Sequence, residues 1–213
     1  MTVCGFLRRF AVLSLAMLAL VGASASQPAS ASTSASTGCP DPVLERPFLP
    51  WLDIANYALA PNGGLESGSS AWFLSGGASV VRGNETFSVR APGDEFSLSL
   101  PSGSSATTGT TCVELLDPTI RLFALNSGSA LSLLKVEVLY ADASGTPRAL
   151  PIALMPGGTQ WQPTLPMPVL ANLLYPPLVT AGKVDVAFRF TPAGLGKSGW
   201  RIDDVYVDPF KGT

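Results

Sequence analysis

Short runs in which apolar and polar positions alternate recur along the chain, separated by Gly- and Pro-rich turn signals. "TFSVR" (86–90) and "EFSLSLP" (95–101) alternate as half-buried strands do. "TTCVELL", "TIRLFALN", "LSLLKVEVLYAD", "RALPIALM", "TQWQPTLP" and "KVDVAFRFTP" continue the series, with "ASGTP" and "MPGGT" as turns between them. "AWFLSGGASVV" (71–81) reads as one strand broken by a Gly-Gly kink or bulge. One segment, "PMPVLANLLYPPL", has a helical spacing of Val169, Leu170, Leu173 and Leu174, but prolines close it at both ends, so at most a short helix fits. About ten short strands without intervening helices predict an all-β chain, an antiparallel β-sandwich rather than a parallel α/β sheet.

The N-terminal part follows a different pattern. Arg8 and Arg9, the apolar run "AVLSLAMLALVG" and the small-x-small site Ala23-Ser24-Ala25 form a secretory signal peptide over 1–25. The apolar run is too short to span a bilayer comfortably, so no membrane span is expected after cleavage. General secretion suits the residues after the arginine pair better than twin-arginine export. "SQPASASTSASTG" (26–38) lacks the apolar surface needed to offset ordering entropy and predicts a flexible Ser/Ala/Thr-rich spacer. Residues 39–213 then form one domain, secreted or associated with the cell wall. Removing Cys4 with the leader leaves Cys39 and Cys112, which an oxidising compartment favours as a disulfide; free thiols are the alternative.

Two patches near opposite ends of this domain carry a family resemblance. "NGGLESGSSAW" (62–72) resembles the opening strand of galactose-binding-like jelly-roll carbohydrate-binding modules, with Leu65 where Phe is usual. "GWRIDDVYVDP" (199–209) resembles their closing strand. The resemblance implies a galactose-binding-like jelly roll in which the first and last strands lie close. It also implies a structural calcium site using Glu66 and Asp203 or Asp204, with backbone carbonyls near Gly64. Calcium takes six to eight hard oxygens, which carboxylates and carbonyls supply. Strand alternation puts Asp203 with Val205 and Val207, and Asp204 with Ile202 and Tyr206, so both faces are partly apolar and periodicity does not choose between the aspartates. The alternative is that one aspartate is solvated and the other pairs with Arg201 or Arg189.

Charge and catalytic chemistry narrow the function. Charged residues make up 13% of the chain and the net charge is −2, with no basic stripe, so nucleic acid is not an expected partner. The absence of histidine removes the Ser-His-Asp triad, the Cys-His pair and the usual catalytic zinc ligands. Paired carboxylates could still cleave a glycosidic bond, but no familiar acidic motif is present. The sequence therefore predicts a noncatalytic carbohydrate-binding domain with a polysaccharide or cell-surface glycan as partner. A structural or adhesive protein without sugar affinity is the alternative, and a polysaccharide-active enzyme comes third. Trp72 and Trp200 lie in the two patches and read as core; Trp51, Tyr175 and, more weakly, Trp161 are the candidate sugar-stacking rings. The stretch "PSGSSATTGTT" reads as an exposed loop.

Overall fold

The computed structural model describes residues 39, 41–114, 119–142, 144–169 and 183–208, all within the compact unit Ala35–Thr213. The expected leader 1–25, the expected spacer 26–38, Tyr175 and most of the helix-like segment lie outside the described residues.

In chain order the first strands are β1 (Leu44–Glu45), β2 (Tyr57–Leu59), β3 (Trp72–Ser75), β4 (Ser79–Arg82), β5 (Phe96–Pro101), β6 (Ser105–Thr108) and β7 (Thr111–Glu114). They are followed by β8 (Thr119–Asn126), β9 (Ser132–Ala141), β10 (Pro147–Met155), β11 (Gln162–Pro163), β12 (Met167–Pro168), β13 (Lys183–Gly194) and β14 (Gly199–Asp208). A 3-10 turn, Leu49–Trp51, precedes β2. The fold is all-β, and among the described residues every pairing is antiparallel. Strands β1, β2, β4, β5, β8, β11, β12 and β14 form one sheet; β10, β9, β13, β6 and β3, with β7 also on β13, form the other. The sandwich is the architecture that the alternating runs predict. Its main core holds Leu98, Leu122, Val136, Phe188, Trp200 and Ile202, each contributing about 1.5–3 kcal/mol by leaving water.

Three local expectations differ from the structure. The Gly-Gly stretch is a turn between sheets rather than a kink in one strand: Gly76 and Gly77 take φ of 62° and 89°, separating β3 from β4. "TFSVR" forms no strand. The buried Glu85 carboxylate accepts the N–H groups of Phe87 and Val89, the latter at 2.9 Å, and so occupies donors a ladder would need. Conversely, "PSGSSATTGTT" contains strand β6, whose Ala106 and Thr108 are buried against β13 and β3.

Cys39 and Cys112 form a disulfide with Cα atoms 5.6 Å apart, tying the start of the domain to β7. Closing a loop with a sequence separation of 73 stabilises the folded chain by roughly 4 kcal/mol in the chain-entropy account.

The two ends of the domain meet as expected of the opening and closing patches. The Ala60 N–H donates to Val205 O at 2.9 Å, and the Val205 N–H to Gly63 O at 3.2 Å. A Cβ on Gly63 would stand 2.6 Å from the Val205 carbonyl oxygen, a backbone atom that cannot swing away. Gly63→Ala is therefore expected to cost about 1–3 kcal/mol in urea denaturation. Gly93→Ala is the control: nothing lies within 4 Å of its would-be Cβ, and its change should stay within about 0.5 kcal/mol.

Candidate functional site

Strict alternation would put Ile202 and Val205 on opposite faces, yet both are buried in the main core with Val207. A β-bulge reconciles them. The pairing of β14 with β8 shifts between Asp203 and Tyr206, so β14 carries one extra residue there. Asp204 adopts φ of 47°, the left-handed region that aspartate tolerates better than bulky residues. The slip returns Val205 and Val207 to the core and sends Tyr206 to a second, aromatic cluster with Phe48, Tyr57, Phe123 and Trp161.

The bulge turns both aspartates toward the segment between β4 and β5, and neither pairs with an arginine as the sequence alternative had it. Asp203 accepts the Glu85 N–H at 3.0 Å and the Asp204 N–H at 2.9 Å. Arg189 pairs with Glu137 at 2.8 Å, and Arg201 donates to the Arg82 and Gly83 carbonyls and to Ser97 Oγ. Asp204 is 1% exposed, and neither of its carboxylate oxygens has a hydrogen-bond donor. Asp94 Oδ2 is likewise buried without one, and lies 3.7 Å from Arg90 Nε. Glu66 accepts the N–H groups of Glu95 and Phe96, both at 3.0 Å, which pins the entry to β5. Burial and the neighbouring Asp204 charge push the Asp203 carboxyl up to about 9. Burial and the Glu85 charge push Asp204 up to about 7.

These oxygens suit a hard cation chemically: Asp204 offers two that nothing else satisfies. Among the described residues no three His, Cys, Asp or Glu side chains converge as a complete ligand set, so carbonyls would have to supplement them. Glu85, Arg90 and Asp94 were not legible as members of this cradle, because only the tertiary fold brings their loop to the bulge.

On the outer side of the β14 sheet, a groove of about 510 Å³ is lined by Trp51, Asp53, Tyr57, Arg121 and Asp208. Its hydrogen-bonding groups form a connected array. Asp53 accepts the Ala55 N–H at 3.1 Å, the Tyr57 hydroxyl at 2.7 Å and the Arg121 guanidinium, while Arg121 Nε donates to Thr164 O at 2.8 Å. Burial works against ionisation of Asp53, but Tyr57, Ala55 and Arg121 together hold its carboxyl below the usual value. Trp51 is half-buried, with its ring set edge-on to Phe87 at 4.8 Å and to Phe123 at 5.4 Å between centroids. Leu52, Ile54 and Leu165, which are 91%, 74% and 82% exposed, surround the same groove. Arg121 carried a signal in the sequence, as a lone cation inside the apolar run "TIRLFALN".

The other candidate rings are placed differently. Trp161 is 7% exposed within the aromatic cluster, under the Arg201 guanidinium at 5.6 Å. Trp72 and Trp200 are buried, their indole N–H groups bonded to Asn62 O and Ser132 Oγ at 2.9 Å each. A second cavity of about 410 Å³, beside Met155, Met167 and Trp200, is largely apolar. A third, of about 470 Å³ on the other sheet, has Tyr140 as its ring, and that ring is buried in the core. The Trp51 groove thus combines an accessible ring with a polar array, which the other two do not.

The acid cradle gives a pH prediction. Asp203 and Asp204 bind protons more tightly in the folded chain, at about 9 and about 7, than at the ordinary 3.8. Their contribution to stability is therefore fully present below about 3.8 and is lost as pH rises from there through each folded value. In chelator, the two aspartates should lower the melting temperature from about pH 4 to about pH 9, most steeply below about pH 7 where both contribute. Asp204→Asn should flatten that decline in a scanning calorimetry series; an unchanged slope would show that the cradle does not titrate there.

No family model and no curated protein sequence matches the chain. Solved structures similar to it include a family 61 carbohydrate-binding module in complex with β-1,4-galactotriose, at 20% identity and a TM-score of 0.38, covering 70% of this chain and 96% of that one. Another is the C-terminal family 22 carbohydrate-binding module of Clostridium thermocellum Xyn10B, at 16% identity and 0.45, covering 76% and 99%. A family 16 carbohydrate-binding module is similar at 19% identity and 0.40, covering 70% and 98%.

Proposed function

We propose that the chain is a secreted, noncatalytic polysaccharide-binding domain whose sugar site is the Trp51 groove. The observation that carries this is the juxtaposition of a half-buried tryptophan ring with the Asp53–Tyr57–Arg121 array. A ring supplies an apolar platform for the C–H face of a pyranose, and fixed polar groups beside it orient hydroxyls. Asp53, held ionised, acts as a hydrogen-bond acceptor for hydroxyls rather than as a proton donor.

The fixed charges of the groove set a preference. Arg121 is committed to Asp53 and Thr164, while Asp53 and Asp208 are both acidic, so the groove favours a neutral chain over a polyuronate. A structural calcium ion belongs to the same reading, with Asp204, Asp94 and carbonyls near Gly64 as its holders. Secretion is supported by the leader and by the Cys39–Cys112 disulfide.

The exposed Leu52, Ile54 and Leu165 support a second reading, an adhesive surface that docks another protein. Affinity electrophoresis of the whole chain separates the two. The sugar reading expects retardation by a neutral polysaccharide such as a xylan or galactan and none by polygalacturonate. Trp51→Ala should weaken that retardation by about tenfold or more in Kd, as truncating a central aromatic anchor does. Free mobility in every gel, or retardation indifferent to Trp51→Ala, would reject the groove as a sugar site.

A further inference from the structure

The geometry points to Arg90 as a built-in counter-cation of the Gly64 cradle, an alternative occupant to a metal ion rather than a companion of one. This rests on the calcium reading above. A Cβ on Gly64 would overlap Arg90 Nη1 and stand 2.9 Å from Asp204 Oδ1, so the guanidinium tip and that unsatisfied oxygen border the same small space. The guanidinium also reaches Asp94, 3.7 Å from Nε to Oδ2. One cation thus serves the two carboxylates that have unsatisfied buried oxygens on this side of the bulge.

A calcium ion drawn to Asp204 would sit against the guanidinium, and two positive charges at such spacing repel strongly in a poorly solvated site. They exclude each other. The Arg90 side chain is 26% exposed, so its tip has solvent to turn into when displaced. The backbone leading to Arg90 is fixed by the Glu85 bonds to Phe87 and Val89, so the exchange needs a side-chain rotation and not a loop rearrangement. Gly64 is required in both states because any side chain would fill the shared space.

The test is calcium titration of the whole chain by calorimetry, for wild type and Arg90→Gln, with magnesium as the control ion. Removing the guanidinium should tighten calcium binding by at least about tenfold, within the roughly 5–150-fold range of ordinary coupling between sites. It should also enlarge the calcium-induced rise in melting temperature. Equal or weaker calcium affinity in Arg90→Gln overturns the exclusion: if both proteins bind, the calcium site survives without it, and if neither binds, both readings fall. Should Arg90→Gln fail to fold in chelator, refolding on addition of calcium but not magnesium supports the exchange. Failure to refold with calcium overturns it.

Discussion

The single-residue bulge at Asp203–Asp204 is the constraint on which the rest depends. A regular β14 would place Val205 outside the core and Tyr206 within it, reversing both hydrophobic clusters. The extra residue restores the register, and the cost is a left-handed Asp204 and two adjacent carboxylates buried where they repel. The surrounding structure offsets that cost unequally. Asp203 is given two backbone donors, whereas Asp204 is given none and faces a cation beyond hydrogen-bond reach.

From the bulge a short series of contacts leads to the proposed sugar groove. Asp203 holds the Glu85 N–H, the Glu85 carboxylate holds the Phe87 and Val89 N–H groups, and the Phe87 ring braces Trp51. Arg201 secures the start of the same loop through the Arg82 and Gly83 carbonyls. Apart from the Gly83 N–H bond to Glu95 O across its base and the Asp94 N–H bond to Ala91 O, the loop's order comes from these side-chain bonds. The acid cradle therefore reaches the groove without lining it: it sets the orientation of the ring that does.

How much of this was legible follows from the range of the interactions. The sandwich was, because alternation in runs such as "EFSLSLP" and "TIRLFALN" is a local signal that tertiary packing reinforces in β5 and β8. The meeting of the opening and closing patches was carried by resemblance and is realised in the Ala60–Val205 and Val205–Gly63 bonds. "TFSVR" misled because its alternation matches a strand, while Glu85, just before it, takes the backbone donors. Glu85, Arg90 and Asp94 escaped notice because their role depends on contacts more than a hundred residues away in sequence; Glu85 and Asp203 are 118 apart. The bulge itself could have been suspected from Ile202, Val205 and Val207, whose apolar spacing of three then two fits no regular strand.

The most direct test of the central claim is amide hydrogen exchange, resolved by NMR, in wild type and Asp203→Ala. The account predicts that protection falls at Glu85, Phe87 and Val89 and that the Trp51 indole resonance shifts, while core amides of β9 and β13 keep their relative protection. Unchanged protection in the loop, or a uniform loss across both sheets, would contradict the claim that Asp203 organises this loop and, through it, the groove.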